Sequence, residues 1–246
     1  MSYSHFKDKE AIEHVVEAHA SGKINAAEIH GTEAPGYLSA ALDSARDSTI
    51  FVSLLTFFSY SLENFSFAPL ITAGLAWIFW KGGRSTWLAW ARLEKIHRVL
   101  EQEKWEIEHN RPQEKEELKV LYAAKGFEGK LLDDVVDVLM ADGDRLLKVM
   151  IEEELGLRLE SHEHPILQGL GAFLGATFAT IFTLLGFYYF DFYGAFIFCL
   201  GIIFLSTFLT AKIENNRIIP AITWNLGIAA IVLSTIYFLT QQFFSL

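Results

Sequence analysis

Five glutamates stand where helical side chains would ordinarily be apolar. Glu103 lies three residues after Leu100 and four before Ile107, and Glu106 follows one turn later. Glu114 precedes Leu118 by four, Glu117 precedes Leu121 by four, and Glu154 follows Met150 by four and Ile151 by three. Residues three or four apart share a helix face, so these carboxylates turn toward the interior of whatever bundle the apolar stripes build. An unpaired buried carboxylate is costly and persists when it is paired with a base, protonated, or bound to a cation. Carboxylates and water suit divalent first-row ions such as Fe²⁺ and Mn²⁺, and a thioether among the donors favours the softer end. The competing reading is a solvated, glutamate-rich helix face held by i, i+4 partners, with no metal.

Other constellations carry less chemistry. The N-terminal segment holds His5, Glu10, Glu13, His14, Glu17, His19, Glu28, His30 and Glu33, of which Glu10, His14 and Glu17 share one helical face. Histidine and carboxylate suit iron or zinc, yet the Glu-x-x-His repeats of a di-iron bundle are missing, so a solvated amphipathic helix is expected there. His162 and His164, with Glu160 and Glu163, read as a polar linker. Cys199 is the only cysteine and lies in an apolar run, which excludes an intrachain disulfide and a Cys-based zinc site. Gly82-Gly83 is too little for a phosphate-binding loop and no Walker motif is present, so ATP-driven chemistry is not expected. No Ser/His/Asp or Cys/His arrangement stands out, and the chain is expected not to be an enzyme.

The elements that must position the glutamates follow from periodicity and punctuation. Leu93, Ile96, Leu100 and Ile107 recur at helical spacing after Trp87, which predicts one long helix ending near Asn110, because Pro112 cannot continue it and disfavours helix at Arg111. Pro112 suits the first turn of a second helix, stopped near the capping Gly126. A third helix follows with Leu131, Leu132, Val135, Val136 and Leu139 as its buried face. The Asp142-Gly143-Asp144 turn leads to a fourth, from about Asp144 to Leu155. Together they read as a small antiparallel helical bundle.

That bundle interrupts a membrane protein. The chain has 246 residues, is 52% hydrophobic and 20% charged, and has a mean hydropathy of +0.27. Ionisable residues crowd into 1–47 and 81–164, whereas 48–80 and 165–246 are nearly free of them. A bilayer core of about 30 Å needs about 20 mostly apolar helical residues. Five stretches qualify or nearly do: Thr49 to Leu62, Ala68 to Trp80, Pro165 to Phe190, Tyr193 to Leu209 and Ile218 to Phe243. The expected fold is all-α, a five-helix transmembrane bundle with a cytoplasmic helical metal-binding insert between spans two and three. Its parts are an acidic His/Glu-containing segment over 1–47, spans one and two over 48–91, the insert over 92–160, and spans three to five over 165–246. The N-terminus lacks the apolar core and cleavage site of a signal peptide, so insertion is expected to rely on the first span.

Orientation comes from basic residues. Lys81, Arg84, Arg92 and Lys95 follow span two, and Lys212 and Arg217 lie between spans four and five, whereas the opposite loops hold Glu63 and Asp191. The positive-inside rule then puts the N-terminus and insert in the cytoplasm. Trp77, Trp80, Trp87 and Trp90 gather near one boundary, and Tyr188, Tyr189, Phe192 and Tyr193 near another, a depth that suits amphipathic rings. The formal charge of −10 argues against nucleic acid as a partner and suits cations better.

Several of these segments resemble the vacuolar iron transporter family. They are the run from Glu103 through Trp105, Glu106, Pro112, Glu114 and Glu117 to Leu118, then Tyr122-Ala-Ala-Lys-Gly126-Phe127, and Met150-Ile-Glu-Glu-Glu154-Leu-Gly-Leu157. The resemblance implies five membrane spans, a cytoplasmic metal-binding domain between the second and third, a homodimer, and proton-coupled export of Fe²⁺ or Mn²⁺ from the cytosol. A bacterial inner membrane is the expected location. The metal ligands it implies are Glu103, Glu106, Glu114, Glu117, Met150 and Glu154, with Ile151 in place of a second methionine. Where the family carries an Asp-Gly pair in span one, this chain has Asp47-Ser48, which makes Asp47 a candidate for the transport pathway. The family's methionine and glutamate of span two correspond to a stretch holding Lys81, Gly82, Gly83 and Arg84, a basic pair expected to repel a metal cation. No ionisable residue is expected deep within the five spans, an arrangement that favours a non-transporting protein whose insert binds metal for sensing or storage.

Overall fold

A computed structural model of the chain describes residues 34–60, 66–153 and 163–244, which form helices joined by short turns, with no strand among them. The helices are α1 (Gly36–Tyr60), α2 (Phe67–His109), α3 (Arg111–Ala124), α4 (Gly129–Met140), α5 (Gly143–Glu153), α6 (Pro165–Ile213) and α7 (Ile218–Phe244). They fall into two compact units, one of Met1–Ala89 with Glu163–Leu246 and one of Trp90–His162. The N-terminal histidines and glutamates from His5 to Glu33 lie outside the described residues, as do Glu154, Glu160 and His162.

In the first unit, α6 is the scaffold. Its regular geometry breaks at Phe190 and Asp191, the latter at φ +52°, and the chain folds back there. A Cβ added to Gly186 would come within 2.7 Å of the Gly194 carbonyl oxygen, and Ala179 and Ile202 share one buried cluster with Ala45. Each half of α6 has about 22–25 residues, about 33–37 Å of helix at 1.5 Å per residue, enough for a bilayer core. By length and hydropathy, two helices among the described residues can cross a membrane, Pro165–Ile213 and Ile218–Leu239. The break gives the first of them two crossing-length segments. Their outward apolar residues, among them Leu174, Ile181, Ile197, Trp224 and Ile231, are exposed, as lipid-facing positions require. This is an integral membrane protein.

The first helix begins at Gly36, more than three turns ahead of the apolar stretch that starts at Thr49, because the charges that interrupt the hydropathy are accommodated rather than excluded. Arg46 bonds Asp43 one turn back, and Asp47 is paired across to α2. Tyr37 and Ala41 place their backbones against Gly171 and Gly175 of α6 so closely that neither glycine has room for a Cβ, the small-residue packing that lets membrane helices approach. A seam of buried hydroxyls on α1 (Ser44, Ser48, Thr49, Ser53 and Thr56) runs along this side. Thr49 and Thr183 hydroxyls lie 2.7 Å apart, and Thr56 donates to the Ser53 carbonyl at 2.8 Å. Glu163 and His164 are structural: the Tyr37 amide donates to Glu163 Oε2 at 2.9 Å, and the Ile166 amide donates to His164 Nδ1 at 3.3 Å. Both acceptors sit at helix N-termini, where free amides need them.

The second unit is a bundle formed by the later part of α2 with α3, α4 and α5. Its core is Ile107, Leu118, Val136, Leu146 and Met150, with Tyr122, Leu132, Leu139 and Leu147 packed around it. Burying a side chain of this size stabilises a fold by about 1.5–3 kcal/mol, which is why so small a bundle holds together. Pro112 sits in the first turn of α3, and α3 ends before Gly126, whose φ of +93° only glycine adopts without strain. Asp142 Oδ1 accepts from the Asp144 and Arg145 amides at 2.9 and 3.1 Å and caps α5. Those two amides hold the Asp142 carboxyl below its usual range. Lys115 and Lys119 of α3 reach Asp137 and Asp133 of α4 at 2.6 and 3.1 Å. One residue of the expected α4 face departs: Leu131 is exposed, because the face that packs runs through Leu132, Val136 and Leu139.

Candidate metal site

The glutamates divide into two kinds. Glu103 and Glu114 are buried, 4% and 2% exposed, and they are the only charged side chains so placed among the described residues. Each stands one turn before a core residue, Ile107 and Leu118 respectively, and Met150 belongs to the same cluster at 0% exposure. The apolar stripes of α2 and α3 thus carry two carboxylates to the edge of the core that the α5 thioether enters. Ile151 is also fully buried, as an apolar residue on α5.

Glu106 and Glu117 are half-buried, and each accepts a hydrogen bond from a glutamine one turn back. Gln102 Nε2 donates to Glu106 Oε1 at 3.0 Å, and Gln113 Nε2 donates to Glu117 Oε1 at 3.1 Å. These glutamines were missed by periodicity alone. Their signal is a repeated pattern: Gln102-Glu103-Lys104-Trp105-Glu106 recurs as Gln113-Glu114-Lys115-Glu116-Glu117. In both copies the first glutamate is buried and the second is half-buried and tied to the glutamine. Glu154 lies outside the described residues. Among the described residues, no three His, Cys, Asp or Glu side chains converge closely enough to hold a metal ion. The donors described are therefore two buried carboxylates, two glutamine-bonded ones at the rim, and a buried thioether.

The first unit holds a different constellation. Lys81 Nζ donates to Asp47 Oδ2 at 2.7 Å, and the lysine side chain is only 13% exposed. Beside the pair, Trp77 Nε1 donates to Ser48 Oγ at 3.0 Å and the Trp77 ring stacks on Phe51 at 4.1 Å. Trp77 therefore fastens α2 to α1, whereas Trp80, Trp87 and Trp90 are exposed. Lys81 and Arg84, expected to act together as a repelling basic pair, part company: Lys81 is neutralised by Asp47 and Arg84 is exposed. Asp47 and Lys81 are each expected at the inner end of a span, but their pairing is a long-range contact that the sequence reading does not supply.

Residues 89–241 match the family model described as the VIT family. That match takes in more than half of the chain, from the last apolar turn of α2 through the bundle and both long apolar helices. The chain belongs to the VIT family. The VIT family is one of membrane transporters of metal ions, not of enzymes, and the α2–α5 bundle with its buried glutamates lies within the matched region. No curated protein matches the chain.

Proposed function

We propose that this VIT-family protein exports Fe²⁺ or Mn²⁺ from the cytosol in exchange for protons, after capture by glutamates of the helical bundle. The observation that carries this reading is the burial of Glu103 and Glu114 beside the cluster that holds Met150. Two carboxylates drawn out of water on successive helices, beside a thioether, make a donor set that a divalent cation can complete. Glu106 and Glu117 supply rim donors to an approaching ion, and Glu154 completes the set in the resemblance. The spans expected at α1, α2, the two halves of α6, and α7 would carry the ion. The bundle and the N-terminus would face the cytoplasm of a bacterial inner membrane, and the protein would act as a homodimer with lipid around it.

A second reading is a protein that binds metal for sensing or storage without transporting it. The Lys81–Asp47 pair favours it, since an ammonium already fills the one acidic position at the end of the apolar part of α1. Equilibrium dialysis of the full chain against Mn²⁺ and Fe²⁺ tests what both readings share. Binding that falls when Glu103 and Glu114 are changed to glutamine supports a metal site in the bundle. No binding by the unaltered chain would leave a plain helical bundle.

A further inference from the structure

Arg84 carries the charge of an exposed α2 face. Trp80 precedes it by four residues and Trp87 follows it by three, so the three share one side of the helix. All are exposed, the tryptophans by 62% and 68%. Another side of the same turns is packed against α6. Gly82 leaves a Cβ only 3.2 Å from Phe173, Gly169 has no room for a Cβ beside Thr86, and Ser85 Oγ donates to the Gln168 carbonyl at 3.4 Å. Arg84 therefore lies level with Gly169, four residues into α6 and about 6 Å from its start. The two halves of α6 run antiparallel, with Gly186 against Gly194 and Ala179 clustered with Ile202. The same register puts Gly169 level with Ala211 and Lys212, so Arg84 stands at the depth where the apolar hairpin ends. Trp80 lies one turn toward the apolar side of it and Trp87 one turn toward the other.

No acid of the chain answers this base. From Phe67 to Leu93, α2 holds no aspartate or glutamate. The acids of α1 and of the ends of α6 are engaged elsewhere: Asp43 with Arg46, Asp47 with Lys81, Glu163 with the Tyr37 amide and Glu214 with the Asn216 side chain. Arg84 forms no ion pair among the described residues. The planar guanidinium fork matches two phosphate oxygens, and tryptophan favours the depth at which one ring edge is apolar and the other wet. We propose that Trp80, Arg84 and Trp87 form a site for the headgroup phosphate of an anionic phospholipid, with Trp80 against the upper acyl chains. A zwitterionic headgroup brings its own ammonium, whereas an anionic one leaves its charge for Arg84. A second copy of the chain fits this face less well, because a two-fold contact would set arginine toward arginine with no acid between them. The site needs the chain in a membrane but needs no metal flux, and so goes beyond the function proposed above.

Native mass spectrometry of the full-length protein released from mild detergent counts both bound phospholipids and copies of the chain. It is titrated with phosphatidylglycerol, phosphatidylcholine and inorganic phosphate. The unaltered protein is expected to retain phosphatidylglycerol in preference to both of the others. Arg84→Gln and Arg84→Met should weaken that retention by on the order of fivefold. Arg84→Lys keeps the charge without the fork and should fall between. Two neutral variants guard against one that fails to fold, and melting profiles in detergent identify it. Lys212 and Arg217 supply the comparison, being exposed bases near the same end of the apolar hairpin without a tryptophan one turn to either side. The Lys212→Gln/Arg217→Gln double variant should retain phosphatidylglycerol as the unaltered protein does. Equal retention with arginine, glutamine and methionine at position 84 overturns the proposal. So does a loss of the same size in the double variant, which would mean a general attraction of basic residues. Inorganic phosphate retained as well as the lipid overturns it in favour of a free anion site. Arg84 variants that lose a second copy of the chain while keeping their lipid overturn it in favour of a protein interface.

Discussion

Glu103 and Glu114 occupy the same place in two copies of one five-residue pattern, eleven residues apart, and both are buried one turn before a residue of a single apolar core. Two adjacent helices therefore bring equivalent carboxylates out of water. Desolvation opposes this, and a bound cation reverses the balance. Glu103→Gln and Glu114→Gln are accordingly expected to remove stabilisation by added metal, measured against the metal-free stability of the same variant. For an unaltered site that stabilisation is about 2.7 kcal/mol at a metal concentration a hundred times Kd. Thermal melts with and without Mn²⁺ check this; equal metal-induced shifts in the variants would place the ion elsewhere.

Met150 separates packing from ligation. It is fully buried in the bundle core, so Met150→Ala should destabilise the bundle by about 2–5 kcal/mol. Met150→Leu keeps the volume and should cost less than about 1.5 kcal/mol. If the thioether is a donor, the leucine variant folds normally and still binds Fe²⁺ or Mn²⁺ more weakly. Dialysis and melting of the same two variants read both effects, and unchanged affinity in Met150→Leu would restrict Met150 to packing.

The contact between α1 and α6 is set by the two glycines that meet the Tyr37 and Ala41 backbone. Gly171→Val and Gly175→Val should push the helices apart and yield aggregated protein in detergent. Gly201 and Gly227 have open space where a Cβ would stand, and alanine at either should be tolerated. Size-exclusion profiles of the four variants distinguish a specific close approach from a general intolerance of substitution in membrane helices.

Acid and alkali should act on the bundle through its exposed ion pairs. The hydrogen bond and charge of Lys115 lower the Asp137 carboxyl, and the Arg145 and Asp144 amides lower that of Asp142. A depressed folded-state value means stability that is present above the ordinary carboxylate value of 3.8 and is lost as the pH falls through the lowered one. Asp133 raises Lys119 by hydrogen bond and charge, so that contribution holds below 10.5 and is lost as the pH climbs through the raised value. Between these limits the melting temperature should be nearly flat for these groups. Lys115→Met and Lys119→Met should lower it slightly and less so in high salt, since the pairs are exposed and screened. A large or salt-independent loss would mean that the α3–α4 pairs do more than surface pairs do.

Local rules made much of the bundle legible in the sequence. Pro112, Gly126 and the Asp142 turn fix where α3 and α5 begin and where α3 ends, because backbone geometry at such residues depends little on context. The stripe through Leu100 and Ile107 likewise turned Glu103 inward, since an i, i+4 neighbour of a core residue shares its face. Glu106 and Glu117 lie at the margin of those stripes, where a neighbouring side chain decides their direction, and the glutamines that do so were not visible to a search for apolar spacing. The start of α1 was hidden for a related reason. Asp43, Arg46 and Asp47 break the hydropathy, but ion pairs let the helix run through them. One of those pairs reaches α2, a contact between residues 34 apart that no local rule supplies.

The most direct measurement is Mn²⁺ and Fe²⁺ uptake into liposomes containing the full-length protein, with and without a proton gradient, alongside a Glu106→Gln/Glu154→Gln double variant. Proton-coupled export after capture by the bundle predicts flux that requires the gradient and falls in the double variant. No flux under any gradient, with metal still bound at equilibrium by the unaltered protein, would contradict it.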